Sequence, residues 1–136
     1  MRWFVDGNNV MGAGADGWWN DPVRAAAAVA QAVARWSNDR SDPVVLVFDG
    51  RAAEQVAAAA GGNLEVAFAR RAGRDAADDL IVELVEAAYA DEPDLVVATS
   101  DKGLVARLPP GVDHEGAGAF RRRIGLPDRP RRPRHP

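Results

Sequence analysis

Residues 44–49 read VVLVFD, an apolar run closed by an aspartate, and Gly50 follows at once. Short runs rich in β-branched and aromatic residues, bounded by turn formers, are typical of buried strands. The same pattern recurs along the chain and predicts five strands, at Arg2–Asp6, Val44–Asp49, Leu64–Phe68, Leu95–Ala98 and Val112–His114. The pattern is weak in Val112–His114.

Segments rich in alanine or periodic in apolar residues lie between these runs. They predict helices over Pro22–Trp36, Ala52–Ala60, Ala76–Ala90 and Lys102–Leu108. Asp21 before Pro22 is a helix start signal, because aspartate accepts from free amides and the proline ring presets the first helical φ. Alternating strands and helices indicate a mostly parallel sheet covered on both faces. The predicted fold class is therefore α/β, a three-layer α/β/α sandwich.

The chain has 136 residues, enough for one domain with a single core. From Arg121 onward it offers little to bury, so we predict a domain over residues 1–124 and a disordered Arg/Pro-rich tail over 125–136. The net charge of −3 hides a division, because residues 121–136 carry seven Arg and one Asp. An acidic body beside a basic arm is compatible with metal-dependent work on nucleic acid.

Cysteine is absent from the sequence. Disulfides and thiolate metal sites are thereby excluded, and a reducing, cytoplasmic location is expected. No apolar stretch is long enough to cross a bilayer, and no cleavable signal opens the chain, so a membrane is not an expected partner.

Acidic residues stand at the ends of the predicted strands. Asp6, Asp49 and Asp101 follow strands one, two and four, while Asp75 and Asp78 begin the helix after strand three. The carboxyl ends of parallel strands share one edge, so these acids should converge there. Two charges about 4 Å apart repel by roughly 4 kcal/mol at an effective dielectric of about 20. Mg²⁺ or Mn²⁺ would relieve that repulsion and support phosphodiester hydrolysis.

Each acid taken alone has a simpler interpretation. Asp49 before Gly50 suits a turn, Asp75 and Asp101 suit helix caps, and Asp78 suits a first helical turn. Asp6 differs, because no helix is predicted to begin for about fifteen residues after it. Capping therefore does not account for Asp6 at this level.

Four segments carry a resemblance to a known family: DGNNVMG at 6–12, VFD at 47–49, DAADDLI at 75–81 and VATSD at 97–101. In this order they resemble the motifs of the NYN-domain ribonucleases, the YacP-like branch of the PIN-like nucleases, from about Arg2 to Ile124. The resemblance implies a PIN-like fold, Mg²⁺ or Mn²⁺ dependence and endonucleolytic cleavage of RNA. It makes Asp6, Asp49, Asp78 and Asp101 the metal acids and Asn9 the asparagine of D-G-x-N. Asp75 falls where that branch often has glutamate and is a candidate fifth acid, while Asn8 replaces a residue that is usually aromatic.

Other residues are candidates for orienting the site or holding RNA. Asn9 or Ser100 would orient the site. Trp18 and Trp19 could stack on unpaired bases, although a tryptophan there more often anchors its loop against the core, the interpretation we favour for at least one of them. Basic side chains that could hold flanking phosphates are Arg70, Arg71 and Arg74 near the acids and Arg121, Arg122 and Arg123 in the arm. The first three can equally be a solvated loop that offsets neighbouring acids.

Three functions compete at this level. The leading one is a metal-dependent endoribonuclease acting on single-stranded or structured RNA. The second is an RNA- or ribosome-binding adaptor that keeps the acid pocket without useful turnover. The third is a phosphoacceptor receiver built on Asp49, Thr99 and Lys102, which lacks an acidic pair after strand one and ranks last.

Overall fold

A computed structural model of the chain describes residues 1–14, 18–50, 53–69 and 75–127. Its centre is a five-stranded sheet in the order β3-β2-β1-β4-β5, and every neighbouring pair is parallel. The strands are β1 Arg2–Asp6, β2 Val44–Asp49, β3 Leu64–Ala69, β4 Leu95–Ala98 and β5 Asp113–Glu115. The predicted α/β sandwich with a parallel sheet is confirmed, and β5 lies one residue later than predicted.

Six α-helices accompany the sheet in the described part of the chain: α1 Gly7–Gly12, α2 Pro22–Asn38, α3 Glu54–Ala57, α4 Ala76–Tyr89, α5 Lys102–Ala106 and α6 Ala117–Arg123. A short 3-10 helix, Trp18–Asn20, precedes α2. Asp21 caps α2 as predicted, since its side chain accepts from Arg24 N with Pro22 at the first turn. None of the helices in the described ranges is long and apolar enough to cross a membrane.

The two faces of the sheet carry separate apolar clusters. Helices α1, α2 and α6 pack on one face through residues such as Val10, Val29 and Phe120. Helix α4 covers the other face, where Ile81 and Val85 pack against Phe4 and Val97. Burial of alternate strand residues on opposite faces, with a helix on each, makes the three layers.

Three differences from the predicted elements concern regions around the site. Helix α3 is only four residues long, shorter than the predicted 52–60, and α1 was not predicted. Helix α6 was also missed, because the chain after Arg121 was expected to bury little. The structure buries Arg121 and Ile124, and Leu126 packs against the same core. The remainder of the predicted tail, 128–136, lies outside the described residues.

Candidate functional site

Strand register sets the depth of the acidic side chains. Asp6 pairs with Val47, so Asp49 lies two residues further along β2. Val5 pairs with Ala98, so Thr99 lies level with Asp6 and Asp101 two residues beyond it. Asp6 is consequently buried at 4% exposure, whereas Asp49 is exposed and Asp101 half-buried.

An open cleft of about 390 Å³ lies at this edge of the sheet. Its walls come from β1, β2, α1, the start of α4 and the residue before α5. All five acids predicted from the sequence line it, together with the two asparagines of α1 and one alanine: Asp6, Asn8, Asn9, Asp49, Asp75, Ala77, Asp78 and Asp101. The predicted convergence of acids from distant segments is therefore present in the structure.

Asp6 is the deepest acid and is held on both oxygens. One oxygen accepts from Asn9 N at 3.4 Å, and the other accepts from Thr99 Oγ1 at 2.9 Å. Burial raises the pKa of the Asp6 carboxyl, the two hydrogen bonds oppose that rise, and the charges of Asp101 and Asp49 add to it. Asp6 is also the N-cap of α1. The interpretation that capping could not account for Asp6 is therefore wrong, because α1 begins at the next residue.

Asp101 combines a structural bond with a position in the cleft. Its Oδ1 accepts from Gly103 N at 2.8 Å and from Leu104 N at 3.2 Å, which caps α5. Its own amide donates to Thr99 Oγ1 at 3.1 Å. Thr99 thus joins Asp6 to Asp101, a role that was not predicted. The available signal was a hydroxyl immediately after β4, level with Asp6.

The two asparagines of α1 hold the ends of the strands on either side of β1. Asn8 Oδ1 accepts from Asp49 N at 2.8 Å, and Asn9 Oδ1 accepts from Ser100 N at 2.7 Å. These bonds fix the backbone that carries Asp49 and leads to Asp101. Ser100 itself turns toward α6, because its hydroxyl accepts from Ala117 N at 2.8 Å, and it does not line the cleft.

Asp78 lies on the first turn of α4 and shows the strongest electrostatic conflict. Its pKa is raised to about 7, first by burial and then by the charges of Asp6, Asp101 and Asp75. Asp75 directly precedes α4 but does not accept a capping hydrogen bond from the helix amides that the structure describes. The Asp75 side chain therefore does not cap α4. Its charge instead adds to the repulsion that raises the pKa of Asp78.

The side chains of the cleft fit a hard divalent cation in type. Carboxylate and amide oxygens are the donors that Mg²⁺ and Mn²⁺ take, and the carboxylates repel one another without a counter-charge. Within the described ranges, however, no three His, Asp or Glu side chains are grouped closely enough to chelate an ion as they stand. Ion binding would therefore need side-chain rotations in the cleft.

Asp78→Asn should stabilise the protein in the absence of divalent ions. The substitution removes one charge from the acidic cluster. We expect the free energy of unfolding at pH 7 to rise by about 1 to 2 kcal/mol, because solvent screens part of the repulsion at this half-buried position. A raised folded-state pKa means that the folded state binds more protons, so wild-type stability falls as pH rises from about 4 to about 7. The gain from Asp78→Asn should grow over the same interval. Urea unfolding in EDTA measures it.

The matched control for that variant is Asp79→Asn on the same helix. Asp79 is exposed and pairs with Arg107 at 2.8 Å. Loss of an exposed pair should cost about 0 to 1 kcal/mol. Equal changes in both variants would show that repulsion in the cleft is negligible.

The candidate RNA-binding residues are distributed unevenly. Trp19 is exposed, whereas the side chain of Trp18 and the whole of Arg70, Arg71 and Arg74 lie outside the described residues. Arg121 is buried and donates to Val10 O at 3.1 Å and Pro127 O at 2.6 Å. That placement does not support the predicted RNA contact of Arg121, whose guanidinium is engaged inside the fold.

The other two arginines of α6 lie at the surface. Arg123 donates through Nε and Nη2 to Glu115, and its guanidinium lies 5.2 Å from the centre of the Trp3 ring. It therefore fastens α6 to the sheet. Both side chains are exposed, so the RNA contacts of Arg122 and Arg123 stay predictions.

Comparison with known proteins gives a consistent result. A family model for the YacP-like NYN domain matches residues 3–107. Crystal structures of Rae1 (YacP) from Bacillus subtilis share the fold. One, of a tryptophan-to-leucine mutant, has a TM-score of 0.67 and 24% identity over 91% of this chain and 75% of that chain. A second has a TM-score of 0.66 and 20% identity over 91% and 73%.

Comparison with curated proteins gives no match. The family match covers most of the chain, and it supports a nuclease-like, RNA-related function. The four motifs that suggested the resemblance all fall within the matched residues. This chain belongs to the family of YacP-like NYN domains.

Proposed function

We propose that the protein is a metal-dependent endoribonuclease that hydrolyses RNA phosphodiester bonds in the acidic cleft. One observation carries the proposal: five carboxylates from four separate segments line one open cleft, at a cost in mutual repulsion. Natural proteins keep such destabilising clusters where function requires them. The family match supports the choice of RNA as the substrate class.

The residues divide by role. Asp6, Asp49, Asp78 and Asp101 would hold Mg²⁺ or Mn²⁺, with Asp75 as a fifth acid at the rim. When bound, the ion would supply positive charge to the scissile phosphate and activate water for attack. The protein's own part is to place the acids: Thr99 orients Asp6, while Asn8 and Asn9 fix the strand ends beside it.

The chemistry also fits the shape of the cleft. It is open, and Asp49 and Asp75 at its rim are exposed. A continuous strand could lie across such an opening without its ends being threaded, which suits cleavage within an RNA chain. The cluster of carboxylates would repel a phosphate unless a cation stood between them. Binding of substrate and cation should therefore depend on each other.

Purified protein should cut RNA only with an added divalent ion. We expect cleavage of a labelled RNA with Mn²⁺ or Mg²⁺, arrest by EDTA and recovery when the ion is returned in excess. Mn²⁺ should also raise the melting temperature without RNA, because a ligand that binds only the folded state stabilises it, and this gain should shrink in Asp78→Asn. Cleavage that continues in EDTA, together with no thermal shift by either ion, would contradict the proposal.

A second function, an RNA- or ribosome-binding adaptor, is favoured by one observation. The carboxylates of the described residues are not grouped as a ready chelating set. The adaptor would bind RNA or ribosomes through surfaces that include the basic arm after residue 121, with no turnover under any divalent ion. Binding that disappears when residues 128–136 are removed, in a protein that never cleaves, would select it. Turnover by the shortened protein would select the nuclease.

A further inference from the structure

A second cavity adjoins the acidic cleft and differs from it in character. It has a volume of about 130 Å³, and its lining is mainly apolar. The lining comes from α1, the start of α2, the short helix α3 and the ends of β2 and β3. Representative side chains are Met11, Val23, Ala26, Phe48, Val56 and Phe68.

The polar residues in this lining are also residues of the acidic cleft. Asn8 and Asp49 line both cavities, so they form a shared wall between an apolar space and an acidic one. A ligand that occupied both would need an apolar part on one side of that wall and a cation-binding anionic part on the other. A nucleotide of an RNA strand has this construction, with a flat base and a phosphate joined by a sugar.

The chemistry of the lining favours a base on the apolar side. Ligand sites are mostly apolar, with a few fixed polar groups that orient the ligand. Phe48 and Phe68 both line the cavity, with ring centroids 6.2 Å apart and planes inclined by 25°. Asn8 is fixed, because its Oδ1 accepts from Asp49 N at 2.8 Å. The group that Asn8 can offer a base is therefore its Nδ2 donor, which suits a ring nitrogen or carbonyl acceptor.

One exposed apolar side chain belongs to the lining of this cavity. Among the described residues, three large hydrophobic side chains are exposed: Met1, Trp19 and Val23. Val23 lines the cavity itself at 43% exposure, and Trp19 precedes α2 in the adjoining 3-10 helix. Trp19 and Val23 thus lie within five residues of the chain, and Val23 is an exposed apolar residue of the lining.

We propose that this apolar cavity, whose shared wall is Asn8 and Asp49, holds one unpaired nucleobase of the RNA strand whose phosphate lies in the acidic cleft. The inference rests on the proposed nuclease function and adds the substrate contact that selects unpaired RNA. A paired base cannot enter the cavity without leaving its stack, so single-stranded segments are the preferred substrate. Stacking and burial tolerate any base, and the Asn8 donor adds a preference for an acceptor at its edge.

The test measures binding separately from cleavage. Single-stranded RNA oligonucleotides, each with one abasic position, are bound to the full chain in the Asp101→Asn background, which keeps the RNA intact. Base stacking of about 1 to 3 kcal/mol corresponds to roughly 5- to 150-fold in affinity. We expect the affinity to fall by about 5- to 20-fold when the base is removed at one position next to the cut site. Removal of a base at other positions should change the affinity little.

Two substitutions close the cavity in different ways. Ala26→Leu fills it from α2, and Val23→Glu places a charge at its exposed mouth, where folding is not at risk. Both should lower the affinity for intact RNA by about 5- to 20-fold. In both variants the affinity should no longer depend on which position is abasic. Ala28→Leu on the exposed side of α2 is the matched control and should bind like the parent protein.

Several outcomes would overturn the proposal. Equal loss at every abasic position, or unchanged affinity in Val23→Glu, would show that no base enters the cavity. Weakened ribosome binding with unchanged oligonucleotide binding in Ala26→Leu would show that a protein segment occupies it instead. Wild-type protein that cleaves RNA normally in any of these cases would leave the nuclease function intact. Failure of the wild type to bind or cleave RNA at all would remove both.

Discussion

The Asp101→Asn protein is expected to cleave RNA on the order of 10³-fold more slowly than wild type while remaining folded. A metal carboxylate that loses its charge forfeits several kcal/mol of charge stabilisation in the transition state. Asparagine keeps an oxygen where Asp101 Oδ1 accepts from Gly103 N and Leu104 N, so the cap of α5 is preserved. The loss should therefore appear in activity and not in stability.

Rates of cleavage and thermal unfolding, measured on the same preparations, separate these effects. Asp21→Asn is the matched control, because Asp21 also caps a helix, through Arg24 N, but lies outside the cleft. It should cleave at the wild-type rate. Asp101→Ala should be both inactive and less stable, by about 1 kcal/mol for a lost cap. Wild-type activity in Asp101→Asn would mean that the observed nuclease is a contaminant, and the assignment of the site would fail.

The parts of the site that follow strands could be predicted because parallel topology forces them together. Asp6, Asp49 and Asp101 each close a buried run, and the edge at which they meet follows from the direction of the strands. Asp78 could be placed because its helix follows β3 and its first turn faces the same rim. Neither inference needed side-chain geometry.

Helix α1 could not be predicted, because its sequence is poor for a helix. Residues 7–12 read GNNVMG, and glycine and asparagine have low helix propensity. The turn forms through long-range contacts instead: Asp6 caps it, and Asn8 and Asn9 bond to the ends of β2 and β4. Tertiary bonds of this kind leave no periodic signal. Asn8, which departs from the usual aromatic residue, has a clear role only once its bond to Asp49 N is seen.

Helix α6 was missed for a different reason. Ala117, Phe120 and Ile124 follow helical spacing and are buried, so the apolar signal was present. The cluster of arginines in the same segment instead favoured an exposed arm that binds RNA. Arg121 shows why that interpretation was incomplete: a buried guanidinium can be satisfied by backbone carbonyls, and here it ties α6 to α1 through Val10 O. Charge composition alone does not distinguish a basic arm from a structural arginine.

Gly7→Ala is expected to lower the free energy of unfolding by about 2 to 4 kcal/mol, although alanine ordinarily favours a helix over glycine. A Cβ on Gly7 would lie 2.6 Å from Phe48 Cε1, 2.7 Å from Phe48 Cδ1 and 2.8 Å from Val47 O. The carbonyl belongs to β2 inside the sheet and cannot move aside cheaply. The melting temperature should fall by about 6 to 15 °C for a domain of this size.

Gly12→Ala, at the other end of the same helix, supplies the comparison. A Cβ there would meet no atom within 4 Å, so the free energy of unfolding should stay within about 0.5 kcal/mol or rise slightly. Since α1 carries Asn8 and Asn9, displacement of its first turn in Gly7→Ala should also loosen the backbone at Asp49 and Ser100. Cleavage measured well below the melting temperature should then fall in Gly7→Ala and not in Gly12→Ala. Equal stability of the two variants would show that α1 does not approach β2 as closely as described, and the orientation assigned to the asparagines would have to be abandoned.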